Sequence, residues 1–207
     1  MPTRTGADRD TYRHGDVRRA AIEAGLAQLS SETASPVTLR GTARQIGVAH
    51  HALSHHFVDK AGFERALAAA GFESLADQVE TTDDAAGFVA AYARFALAHA
   101  RLYDVMMRQP YAAFEADPTL RAASGRVIGK ALAVLAPNAP DAESGRRTVA
   151  RAWMLTHGGI SLHATGVLRM RSDEDFVAEL LRIAGLAPDQ PEGPQSIWGD
   201  HNEEHQP

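Results

Sequence analysis

What most restricts the fold of this chain is a period. Apolar residues recur every three or four positions, no stretch alternates apolar with polar over the length of a strand, and the prolines fall between the periodic segments. Alanine and leucine are abundant, so intrinsic propensity favours the same state. These observations predict an all-α protein of about nine helices. The first is expected from Asp16, as N-cap, to Leu29, with Ile22, Leu26 and Leu29 on one face. The loop "SSETASP" follows, then a short helix capped by Thr38, with Leu39, Ala43 and Ile46 at i, i+4 and i+7 and Gly47 as its left-handed stop. A third helix falls within "GVAHHALSHHF" and a fourth runs from beyond "FVDK" to about Val79. Others are expected near 84–99, with Asp83 or Asp84 as cap, and near 101–108, 118–136, 142–168 and 173–184. The opening "MPTRTGADRD" and the Pro-, Gly-, Gln- and acid-rich end from Ala187 have the composition of unstructured segments, Trp198 excepted.

The 207 residues, 44% hydrophobic, can fill a core without staples. Cysteine is absent. That excludes disulfides, thiolate zinc sites and cysteine nucleophiles, and agrees with a reducing compartment, for which the cytoplasm is the default. The first thirty residues hold no apolar run like the core of a signal peptide, and no stretch approaches the roughly 20 apolar residues that cross a bilayer. A net charge of −5 argues against a polyanionic partner, but the charge is uneven. Residues 1–60 carry eight Lys or Arg against six Asp or Glu, whereas 61–207 carry thirteen against twenty. A weakly basic module ahead of an acidic body is the expected organisation.

Residues 47–57 hold four of the ten histidines and no Lys or Arg. On a wheel of about 100° per residue, His50, His51, Ser54 and His55 share one arc, and Ala49, Ala52, Leu53, His56 and Phe57 the other. Two turns are not stable alone, so Leu53 and Phe57 should anchor the helix to the two before it and leave the polar arc outward. A short helix, a glycine turn and a second short helix with a polar outer face form a helix-turn-helix, whose second helix enters the DNA major groove. Imidazole can donate to or accept from base edges and phosphates, and Ser54 can donate to a phosphate oxygen. His56, on the inner arc, reads as a packed core histidine. His51 and His55 have an i, i+4 spacing that can hold zinc or nickel, but the helix contains no Asp or Glu and "HExxH" is absent. A hydrolase built on Ser54 with His50 or His51 lacks an acidic orienter, a G-x-S-x-G elbow and a glycine-rich oxyanion loop. No enzymatic activity, cofactor or metal is therefore expected.

Together "YRHGDVRRAAIEAG", "TLRGTARQIGVAHHALSHHFVDKAGFERALAAAGF" and "ARAWMLTHGG" resemble the TetR family of transcriptional regulators, over residues 12 to about 184. The likeness is densest over 38–60, where Leu39, Arg40, Ala43, Gly47, Val48, Ala52, Leu53, His56, Phe57 and Lys60 follow the family pattern. Trp153, His157 and Gly158, with Gly166 beyond, resemble the effector domain of one subgroup. The resemblance implies a homodimer with two DNA-binding heads on helical bodies, each body holding a pocket whose ligand changes the spacing of the heads. It implies a helix-turn-helix head over 12–60, an effector-binding and dimerisation body over 61–186, and a flexible tail over 187–207. Thr38 and Lys60 take phosphate-contacting positions, and Arg40, His50, His51, Ser54 and His55 complete the DNA face. Ser54 stands where the family commonly has tyrosine and Ala49 where it commonly has serine or threonine, so two contacts of the family are missing.

In the body, Phe88, Tyr92, Phe95 and His99 recur at helical spacing, and "LYDVMMRQPYAAF" gathers Tyr103, Met106, Met107, Tyr111 and Phe114. Such stripes by themselves mean core. The resemblance makes Tyr92, His99, Tyr103, Met106, Met107, Phe114, Trp153 and His157 the expected lining of a ligand pocket, apolar with a few polar groups. Dimerisation is expected through 142–184, where Gly158, Gly159 and Ala164 allow close approach and Ile160, Leu162, Val167, Leu168, Phe176, Leu180 and Leu181 supply apolar area. The function expected is a ligand-responsive DNA-binding regulator, a repressor on an inverted-repeat operator released by a small molecule. The alternative is a small-molecule-binding helical protein whose DNA binding has weakened.

Overall fold

The computed structural model describes residues 7–31 and 36–187. Among them there are ten helices and no strand: α1 (Ala7–Ser30), α2 (Leu39–Gln45), α3 (His50–Phe57), α4 (Lys60–Glu80), α5 (Ala85–Ala98), α6 (Ala100–Met107), α7 (Tyr111–Ala116), α8 (Pro118–Leu135), α9 (Ala142–Ala164) and α10 (Asp173–Ile183). The expectations for Trp198 and for a flexible tail fall on residues beyond 187, outside the described ones. No described helix is long and apolar enough to cross a membrane.

Helix α1 begins at Ala7, nine residues ahead of the cap expected at Asp16, because residues 7–14 contain neither glycine nor proline to stop it. Its inward face is Ala21, Ala24, Gly25 and Leu29, while Ile22 and Leu26 are only half-buried. A β-carbon on Gly25 would stand 2.8 Å from a Leu67 methyl and 2.9 Å from the Phe63 ring. Small residues thus let the α1 backbone lie against the large side chains of α4. The six-residue α7 has no counterpart among the predicted helices, being too short to show a period. Asp84, Asp141 and Ser172 cap α5, α9 and α10, their side-chain oxygens accepting the amides of Gly87, Ser144 and Asp175 at 2.7, 2.8 and 3.1 Å. Helix α9 stops at Ala164 rather than running to 168. Gly166 turns left-handed at φ +74, and the amides of Gly166 and Val167 return to the carbonyls of His163 and Leu162.

The described residues up to Glu73, with His99–Ser124, form one compact unit, and Ser74–Ala98 with those from Gly125 on form a second. In the first, α1, α2 and α3 pack on one another and α6 packs on α1. Its core holds Leu53, Phe63, Leu67 and Met106. In the second, α5, α9 and α10 pack mutually around Phe95, Ile160, Phe176, Val177 and Leu180. There Gly159 brings α9 onto α10, its hypothetical β-carbon 3.3 Å from a Leu180 methyl, and Arg94 on α5 grips the Glu174 carboxylate with two hydrogen bonds of 2.9 and 2.6 Å.

Candidate nucleic-acid interface

Helix α2 starts where Thr38, extended at φ −135 and ψ 146, accepts the Gly41 amide on Oγ1 at 3.1 Å. Leu39, Thr42 and Ala43 turn inward. From α1, Gln28 Nε2 donates to Thr42 Oγ1 at 3.2 Å and to Gln45 Oε1 at 2.8 Å, which fastens α2 to α1. Gly47, at φ +71, redirects the chain, and the Val48 amide returns to the Ala43 carbonyl. Helix α3 follows from Ala49, an N-cap without a side-chain hydrogen bond.

Two side chains hold α3. Leu53 and Phe57 are 0% and 3% exposed. Phe57 meets Phe63 edge-on at 4.9 Å and lies 5.5 Å under the Arg18 guanidinium. Burial contributes about 1.5–3 kcal/mol for each such side chain, whereas two isolated turns have no net stability. Anchored in this way, α3 exposes His50, His51 and His55. Ser54 is half-buried, its hydroxyl donating to the His50 carbonyl at 3.5 Å. His56 is half-buried with its ring edge toward Phe57. Arg40 is exposed on α2, and Lys60, exposed at the first position of α4, pairs with Glu64 at 3.3 Å.

The α3–α4 junction carries three features that the helical wheel misses. Val58 is the one non-glycine residue among those described with positive φ, at 63 with ψ −59. The Asp59 amide donates to the Phe57 carbonyl at 2.7 Å, closing a three-residue turn of the strained hand. Asp59 then caps α4, Oδ1 accepting the Gly62 amide at 2.7 Å. A β-carbon on Gly62 would stand 1.9 Å from the Phe57 carbonyl oxygen, so only glycine fits; the "KAGF" glycine was the available signal. A further contact had no signal at all. Arg101, from α6, donates to the carbonyls of Gln28 and Ser31 at 2.8 and 3.1 Å and so caps the end of α1.

The expected pocket residues are divided between the units. In the first, His99 precedes α6 and is half-buried, as are Met107 and Phe114; Tyr103 is buried, and Phe114 meets Phe72 edge-on at 5.9 Å. Met106 is completely buried, filling the space Gly71 leaves on α4. In the second, the half-exposed Trp153 donates from Nε1 to the hydroxyl of the buried Tyr92 at 3.2 Å and stacks on His157 at 5.7 Å. Among the described residues, no three His, Asp or Glu side chains are grouped as a metal site requires.

On the second unit, Met154, Leu155, Gly158, Leu162, Met170 and Ile183 line an open apolar groove of about 260 Å³ between α9 and α10. A β-carbon on Gly158 would meet nothing. Of the residues expected to supply dimer area, Ile160, Phe176 and Leu180 are already buried within the chain, whereas Leu162 and Val167 are exposed. Arg94 holds the Glu174 carboxyl below the ordinary glutamate range and is itself raised by that hydrogen bond. Asp141 is lowered by the Ser144 amide and then by the Ser144 hydroxyl.

Residues 85–183 match the model of the tetracyclin repressor-like C-terminal domain. Over these residues the chain is similar to the C-terminal domain of TetR-type repressors. Solved structures share the fold. A protein of unknown function from Rhodococcus sp. RHA1 is similar at 26% identity, with a TM-score of 0.64 over 86% of this chain and 100% of that one. The candidate regulatory protein SCO4313 shares the fold at 18% identity, with a TM-score of 0.62 over 88% and 100%. A possible TetR family transcriptional regulator from Streptomyces coelicolor A3(2) shares it at 20% identity, with a TM-score of 0.55 over 69% of each chain. No curated protein matches. The described residues are thus all-helical, with the fold of these solved structures.

Proposed function

We propose that this chain is a TetR-family transcriptional regulator, a cytoplasmic, ligand-responsive repressor that binds an inverted-repeat operator as a homodimer and leaves it when a small molecule occupies the body. The observation that carries the reading is α3, a two-turn helix with Leu53 and Phe57 inside and three imidazoles outside, presented behind the Gly47 turn. In this role His50, His51, Ser54 and His55 read the major groove, while Thr38, Arg40 and Lys60 act on phosphates and set the register. A small molecule is assigned to the body, with Tyr92, Trp153 and His157 as the candidate contacts in the second unit and His99, Tyr103, Met106, Met107 and Phe114 as those in the first. The head occupies 12–60 and the effector-binding and dimerisation body 61–186. Dimerisation through 142–184 is supported by the apolar α9–α10 groove and by the open face at Gly158. Release is a population shift: a ligand lowers operator affinity by the ratio of its affinities for the two arrangements of the heads.

Selection of bound DNA from random fragments tests the proposal, followed by titration at several salt concentrations. A palindromic site with a steep salt slope is expected. Retention with neither sequence preference nor salt dependence would instead establish the alternative, a small-molecule-binding protein with weakened DNA binding. That alternative is favoured by the lack of any Lys or Arg on α3 and by the Lys60–Glu64 pair.

A further inference from the structure

Val58 combines two unfavourable properties that nothing within the described chain offsets. Its backbone, at φ 63 and ψ −59, lies where a β-branched residue is strained and glycine is not. The residue is 82% exposed, more than any other large apolar residue described. Strain that packing does not repay concentrates where a molecule meets its ligand.

The position of Val58 says which ligand. Its amide still donates to the Ser54 carbonyl, at 3.0 Å, so its α-carbon continues the outward row of His51 and Ser54 by one more turn. Two residues on, the exposed Lys60 opens α4. Val58 therefore sits between the imidazoles assigned to base edges and the ammonium assigned to phosphate, an apolar group within an otherwise polar row.

We propose that Val58 is a specificity-determining residue of the DNA interface, its isopropyl group covering the C5-methyl of a thymine at the edge of each half-site. The proposal rests on the DNA-binding reading above. Thymine is the one base that offers the major groove an apolar group, and Val58 is the matching group on the protein. The contact forms no hydrogen bond and carries no charge, so it selects a base without steepening the salt dependence. Withdrawing one methyl from water corresponds to about fourfold in affinity.

The test uses the full chain and its selected operator, with single thymines replaced by deoxyuridine so that only the methyl is lost. Wild type is expected to weaken about fourfold at one thymine of each half-site. Val58→Gly, relieved of strain, should melt higher yet bind thymine and deoxyuridine operators equally at that position. Val58→Ala keeps the strained turn and should lose the discrimination without gaining stability, which separates contact from strain. A wild-type protein indifferent to every such replacement, or variants that retain its penalties, would overturn the proposal alone. A wild-type protein with no sequence-preferring DNA binding would overturn it together with the reading beneath it.

Discussion

Leu53 has no exposed surface, and the helix it anchors is too short to persist without it. Leu53→Ala is expected to lower stability by about 2–5 kcal/mol, read from denaturant unfolding, and to abolish operator binding in step with the loss of α3. His51→Ala and His55→Ala should leave unfolding nearly unchanged, since both side chains are exposed. If they read bases, each should cost about 1–3 kcal/mol of discrimination at one or two positions of the operator; uniform weakening across sequences would mean phosphate contact instead. The inward and outward sets of α3 were legible because a 3.6-residue period fixes them from sequence. Val58 and Gly62 were not, because their importance lies in a turn whose geometry appears only once Phe57 and α4 are in place.

Among the helices, short ones depend on their ends. Thr38→Ala removes the side chain that accepts the Gly41 amide and should cost about 1 kcal/mol of stability, measurable by thermal or denaturant melting. Helix α10 carries a pH dependence of its own. Because the folded-state pKa of Glu174 is lowered by Arg94, its stabilising contribution is full above the ordinary glutamate value of about 4.3 and is lost as pH falls through the lowered one. Glu174→Gln should flatten the acid limb of the stability profile and leave the neutral region less affected. Long periodic helices such as α4 and α8 were readable from sequence, whereas α7 and the end of α9 were set by local devices: six residues behind Pro110, and a left-handed Gly166.

For the whole molecule, apolar sequence does not distinguish burial within a chain from burial between chains. Ile160, Phe176 and Leu180 looked like interface and are core, while Met154, Leu155 and Ile183 remain exposed on the same two helices. Leu155→Glu should convert a dimer to monomers in sedimentation without unfolding the chain, and should remove cooperative binding to paired half-sites. Those half-sites are expected about 34–36 Å apart, or a multiple of that, along one face of the duplex. Arg101 bears on how such a molecule is made. Its guanidinium closes the far end of α1 from some seventy residues downstream. The ribosome must therefore release the chain through Arg101 before the first helix acquires its last partner, and a nascent or proteolysed chain ending short of that arginine leaves those carbonyls to water.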